Sequence, residues 1–216
     1  MYATRKTHKN LALFDFDGTL CNKDSFTGFI FYALSKRHIV KQGFKILPWI
    51  QAYYLNIYPA HAMRSKLFEA MFSDASVPEL QNLAEEYALR LLSQLNHNLY
   101  QQLLKHQRHG DSVVLVSASL DLYLEPICQL LNIDLICTET EIEAQRFTGR
   151  FASPDCSSAQ KRIRILEKYK LPAYNKIYAY GNSKEDLDML SLADYPYMTG
   201  QDQSLPHISD LDHELI

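Results

Sequence analysis

The segment Leu11 to Leu20 reads LALFDFDGTL: an apolar run passes straight into two carboxylates, Asp15 and Asp17, and turns at once through Gly18. One Asp after a buried strand is an ordinary solvated turn residue, but two spaced i and i+2 need a reason. Residues two apart on extended backbone point to the same side, so the carboxylates converge if the strand runs on. Their repulsion then calls for an opposing charge. Mg²⁺ takes oxygen ligands, commonly one or two carboxylates beside a phosphate, and the carboxyl end of a parallel strand is where open α/β sheets bind ligands.

After Gly18 the pattern changes. From Phe26 to about His109 the periodicity is helical and no β-rich run occurs. VPELQNLAEEYALRLLSQLNHNLYQQLLKHQRHG predicts one long amphipathic helix or two in succession, from near Ser76 to Gly110. DSVVLVSAS returns to a strand, LDLYLEPICQLLN is a helix, IDLICTETEI a strand, and RFTGRF a hairpin with Gly149 at its turn. SSAQKRIRILEKY follows as a helix with a serine N-cap, then KIYAYG as a strand, SKEDLDMLSLA as a short helix and DYPYMTG as a last strand. Strands alternating with helices predict an α/β fold with a Rossmann-like parallel sheet core. The helical block interrupts that sheet after its first strand and reads as an inserted all-helical cap. The domains expected are core over 1–20, cap over 21–109 and core again over 110–216.

With 216 residues, 47% of them apolar, the chain can bury a sizeable core. A formal charge of −3 offers no global field for nucleic acid. No apolar run of about 18 residues lacks charge, so no membrane span is expected. The basic start MYATRKTHKN leads into a run that carries Asp15 and Asp17, which a signal peptide would not. Cys21, Cys128, Cys137 and Cys156 make no C-x-x-C pair, which fits a reducing cytoplasm better than a disulfide scaffold. His106 and His109 sit in a polar HQRHGD stretch and read as a solvated helix end rather than zinc ligands.

Two more strand ends and one helix line up with the first. VVLV ends at Ser117-Ala118-Ser119, KIYAY ends at Gly181-Asn182-Ser183 with Asp186 one helical turn on, and Lys161 lies between them in the first turns of a helix. A helix N-terminus favours an anion. Singly these are ordinary capping serines and a surface lysine; their order after DFDGTL is not. That order resembles the haloacid dehalogenase superfamily of phosphotransferases, over Leu11 to about Thr199, and the insertion resembles the cap of its phosphoserine-phosphatase-like subfamily IB. DFDGTL followed by Asp24 and Phe26, with the apolar, basic segment around Ile46-Leu47-Pro48, is more loosely similar to the phosphatidylglycerophosphatase C branch.

The resemblance implies a Mg²⁺-dependent phosphomonoester hydrolase acting through an aspartyl-phosphate on a small phosphorylated metabolite. The alternatives are a lipid-phosphate phosphatase of the phosphatidylglycerophosphate type and a weakly active relative that only binds a phosphorylated ligand. It implies Asp15 as nucleophile, Asp17 as general acid and base, and Ser117 and Lys161 as groups that stabilise the phosphoryl oxygens, with Gly18 and Ala118 completing the phosphate cradle. Mg²⁺ would be held by Asp15, by Asp17 through its backbone carbonyl, and by Asn182 and Asp186. The family usually has Asp where this chain has Asn182; an amide oxygen can still ligate Mg²⁺, but a formal charge is lost.

Between Asp24 and Glu69 there is no acidic residue, while Lys36, Arg37, Lys41, Lys45, Arg64 and Lys66 are basic and Trp49, Tyr53, Tyr54 and Tyr58 are aromatic. Either the aromatics pack the cap and the cations face water, or this face meets an anionic substrate or an anionic membrane peripherally. The second case would place the chain at the inner membrane face. By the resemblance, Asp24 and Arg64, or Lys66 in place of Arg64, hold the substrate's polar groups; Asp24 also reads as the N-cap of the first cap helix.

Overall fold

A computed structural model describes residues 9–208. The central strand β1 (Leu11–Phe14) is buried at every position. It pairs in parallel with β2 (Ser112–Leu120) on one side and β6 (Ile177–Gly181) on the other. β3 (Asp134–Thr138) and β7 (Tyr195–Met198) extend the sheet to the order β3-β2-β1-β6-β7, all parallel. The period of two sorts the side chains of β1: Ala12 and Phe14 join one core, Leu11 and Leu13 the other. The first core is shared with α6 (His97–His109) and α7 (Asp121–Leu131), the second with α8 (Ala159–Lys168) and α9 (Leu187–Leu190). With both faces covered, the inner strands β1, β2 and β6 are buried along nearly their whole length rather than at alternate residues.

The insertion consists of α1 (Ser25–Ala33), α2 (Lys36–Lys45), α3 (Leu47–Tyr54), α4 (Ala60–Phe72) and α5 (Val77–Leu92). Its two connections to the core are bonded to each other, Asn22 N–H to Gln94 O at 3.1 Å and Asn96 N–H to Leu20 O at 2.8 Å. Phe29 and Tyr87 lie 5.2 and 5.7 Å from the ring of Tyr123 on α7, so aromatic packing fastens cap to core. Each such ring, fully buried, contributes about 1.5–3 kcal/mol.

The long helical pattern after Ser76 is two helices in succession, the second of the two arrangements expected, broken where Asn96 accepts from the N–H groups of Asn98 and Leu99 and starts α6. Other features differ from the sequence-based expectations. α6, expected within the cap, lies on the sheet: Gln102 donates to the Tyr180 hydroxyl at 3.1 Å. The HQRHGD stretch is not a solvated helix end either. His106 is fully buried, its Nδ1 2.7 Å from Asp111 Oδ2 and its Nε2 2.8 Å from the Tyr180 hydroxyl. Burial pushes the imidazole below its ordinary value, against the pull of Asp111. A neutral ring donating to Asp111 and accepting from Tyr180 satisfies every partner. Polar residues hid this because a buried network and a wet surface share a composition.

The predicted strand over 133–142 divides into β3 and β4 (Thr140–Glu143), and RFTGRF is one strand, β5 (Arg146–Phe151). The hairpin turn is at Ala144 and Gln145, both with positive φ (48° and 62°), instead of at Gly149. Left-handed backbone at both central residues is the two-residue hairpin turn that matches strand twist. Gly149 serves packing: a Cβ there would stand 3.1 Å from the backbone of Glu69, where α4 crosses the hairpin. Phe147 bonds the backbone of Asp74 and Ala75 at 2.8 and 3.0 Å, so the hairpin grips the cap.

Candidate active site

The three strand-end segments and the first turn of α8 meet above the carboxyl edge of β1, β2 and β6, where β1 has one neighbour on each side and the sheet order reverses. The Asp15 N–H continues the ladder to Tyr180 O at 2.9 Å, which leaves its carboxyl just beyond the sheet and 6% exposed. The chain turns through Gly18 with φ at +77°, and a Cβ there would lie 2.0 Å from Asn182 Nδ2. Only glycine lets the first and last segments approach so closely. A register shift in β2 between Ser117 and Leu120 lifts Ser117 and Ser119 toward the site.

Lys161 is the centre of charge. Its Nζ stands 2.6 Å from both Asp15 Oδ1 and Asp186 Oδ1, with the side chain 2% exposed. Burial lowers a lysine, but the attraction of the two carboxylates outweighs it and holds Lys161 above its ordinary value. The carboxylates themselves move oppositely. Burial pushes Asp15 up to about 6 despite Lys161, with Asp186 and Asp17 adding repulsion. Asp186 feels burial too, yet Lys161 and bonds from the Asn182 and Ser183 N–H groups hold it below its ordinary value. The difference lies in donors: Asp15 has Lys161 and the Thr19 hydroxyl at 2.8 Å, and Asp186 has two backbone N–H groups besides.

Asp17 is held apart from this pair. Its Oδ1 accepts the Ser25 N–H at 2.6 Å and its Oδ2 accepts the Ser119 hydroxyl at 2.5 Å. Burial raises its carboxyl, against those two bonds. Ser117 accepts the Ser119 N–H at 3.1 Å, so its own O–H remains to donate. Ser25, Ser119 and Thr19 were not singled out as positioning groups from sequence. For Ser119 and Thr19 the only signal was membership in the motifs themselves.

These groups floor a cavity of about 600 Å³ roofed by the cap, with Asp15, Asp17, Ser117, Ala118, Lys161 and Asn182 on its wall. Asp186 lines it too. Asp24 caps α1, accepting the Thr27 N–H at 2.9 Å, and also lines the cavity. Arg64 reaches the wall from α4 but is bound by Asp155 and Glu185. Lys66 does not line it and instead pairs with Glu69 at 2.7 Å under the Trp49 ring. A larger open hollow, about 1060 Å³, lies beside α7, β3 and α8 and contains none of the strand-end groups.

The donor set suits a hard cation. Two carboxylates, Asp15 and Asp186, face one ammonium, and Asp17 and Asn182 line the same cavity. Among the described residues no three His, Cys, Asp or Glu side chains converge as a metal cluster. Neutral oxygens would therefore have to complete the shell.

The sequence profile for haloacid dehalogenase-like hydrolases matches residues 12–191, the span that holds every strand-end group. The chain is 26% identical over 215 residues to a protein named histidinol-phosphatase from Neisseria meningitidis, covering 91% of this chain and 93% of that one. It shares its fold with a protein of unknown function from Bordetella pertussis (TM-score 0.77, 24% identity, 89% and 90% of the two chains). The same is true of a phosphoserine phosphatase solved as a phospho-aspartyl intermediate analogue (TM-score 0.61, 15% identity, 89% and 87%). A profile that runs from the first strand past Asp186, over a parallel core with aspartates at the end of its central strand, leaves one assignment: this chain is an enzyme of the haloacid dehalogenase-like hydrolase family.

Proposed function

We propose that the enzyme is a Mg²⁺-dependent phosphatase that hydrolyses a small phosphomonoester through an aspartyl-phosphate. The observation that carries this is the geometry at Lys161, whose ammonium touches Asp15 while Asp17 is held ready by Ser25 and Ser119. One oxygen of Asp15 attacks phosphorus, and the bond from phosphorus to the ester oxygen breaks. Asp17 gives its proton to the departing alkoxide. It then takes a proton from water as that water attacks phosphorus and frees Asp15 and inorganic phosphate. Lys161, Ser117 and the backbone at Gly18 and Ala118 stabilise charge on the phosphoryl oxygens. Mg²⁺, with Asp15, the Asp17 carbonyl, Asn182 and Asp186 as its holders, would neutralise charge between Asp15 and the phosphate. The test is a screen of phosphomonoesters with and without Mg²⁺. Turnover should vanish in chelator and return with Mg²⁺, and Asn182→Asp, which restores a charge, should lower the Mg²⁺ concentration for half-maximal activity several-fold. Chelator-resistant activity, or an unchanged titration, would count against the metal assignment.

A second reading, a phosphatase for lipid phosphates that works at an anionic membrane, is favoured by the outer face of the cap. Val40, Phe44, Tyr54, Leu55 and Ile57 are 57–77% exposed there. Lys36, Arg37, Lys41 and Lys45 are exposed beside them and make no ion pair among the described residues. None of the helices described is long and apolar enough to cross a membrane, so contact would be peripheral. Each such cation near an anionic surface adds about 1 kcal/mol, screened by salt. Sedimentation with anionic vesicles should then exceed that with neutral ones and fall when the four cations become Gln. Equal, negligible sedimentation with both would leave the soluble substrate.

A further inference from the structure

We infer that the alcohol this site releases is apolar and carries no anionic group; the inference rests on the phosphatase reading above. Among the described residues that line the cavity, Lys161 and Arg64 are the cations, and both are committed. Lys161 belongs to the phosphate end. Arg64 donates from Nε and Nη2 to the two oxygens of Asp155 at 2.7 and 2.8 Å, a two-pronged bond. It also donates from Nη1 and Nη2 to Glu185 at 3.2 and 3.3 Å. A guanidinium has five N–H donors. Four are used here, so no pair of parallel donors remains for a substrate carboxylate. The group of Arg64, Asp155 and Glu185 carries a net negative charge, and Asp24 adds another carboxylate to the same wall.

An anionic substituent would thus lose its water against a wall that offers repulsion and no uncommitted cation, which is costly in a buried site. Besides Asp24 and Arg64, the cap side of the wall is largely apolar, with Phe26, Ile30, Ile50, Met63, Leu67 and Met71 and with Thr27, Tyr53 and Tyr54 as its hydroxyl-bearing members. A hydrocarbon alcohol gains from that surface. Among lipid phosphates the same logic favours one whose alcohol is uncharged over one that retains a second phosphate.

The test uses three phosphomonoesters and the intact chain in Mg²⁺. O-phosphoserine and O-phosphoethanolamine differ by one carboxylate, and n-hexyl phosphate has neither charge. We expect kcat/KM for phosphoserine to fall below that for both others, with at least about 100-fold between phosphoserine and hexyl phosphate. Asp155→Asn releases the two-pronged bond on Arg64, so the gap between phosphoserine and phosphoethanolamine should close by about tenfold or more, one charge-assisted contact being worth that much. Glu185→Gln, which withdraws the other carboxylate, should close it in the same direction and serves if Asp155→Asn fails to fold. Wild-type phosphoserine turnover equal to or above that of phosphoethanolamine overturns the inference and leaves the phosphatase standing. Absence of turnover on all three and on p-nitrophenyl phosphate overturns the phosphatase reading, and the inference falls with it.

Discussion

Asp15→Asn is expected to lower kcat by on the order of 10⁴-fold or more, as loss of a nucleophile does, while the protein stays folded. The substitution keeps volume and removes the atom that would attack phosphorus. It also removes a charge that is expensive to bury: the Asp15 carboxyl is 6% exposed and pushed up to about 6 by that burial. The unfolding midpoint should therefore stay level or rise. A folded variant with near wild-type kcat, after mass spectrometry has excluded deamidation back to Asp, would sink the mechanism. A variant that loses activity because it has unfolded is told apart by its urea midpoint.

Lys161→Met is expected to harm both activity and stability. Its ammonium sits between Asp15 and Asp186 at 2.6 Å from each, and without it two buried carboxylates face one another. Breaking a buried ion pair by removing one partner typically costs about 3–5 kcal/mol, because the charge left behind has no solvent. Loss of a preorganised donor to the phosphoryl group should cost a further roughly 10²–10³ in kcat. The two effects separate in a double-mutant cycle. Asp15→Asn in the Lys161→Met background removes one of the stranded charges, so the double variant should be more stable than additivity allows, by about 1–3 kcal/mol for groups in one network. Additive urea midpoints would mean that Lys161 does not owe its place to these carboxylates.

Local patterns carried the core of this protein. An apolar strand that ends in DFDGTL, a second that ends in Ser117 and Ser119, and a third that ends in Asn182 are each legible within ten residues, because strand burial and turn chemistry are short-range properties. Their chain order sufficed to bring them to one edge of a parallel sheet, since parallel strands place all their carboxyl ends on the same side. Asp24 as a helix cap was readable for the same reason, its partner Thr27 being three residues away.

Tertiary structure decided what depends on distant partners. Arg64 has the spacing of a substrate-binding group, yet its carboxylates come from positions 91 and 121 residues later, which no local pattern reports. His106 looked like a surface residue among polar neighbours until α6 laid it against Tyr180, 74 residues away. The turn at Ala144 and Gln145 carries no glycine, because pairing of the flanking strands and their hold on the cap, rather than the turn's own preference, impose the left-handed backbone. Sequence by itself determined which chemical groups stand at the sheet edge, through short-range periodicity; the folded chain determined which charges remain available above it, because a buried ion takes whichever opposite charge the packing brings within reach.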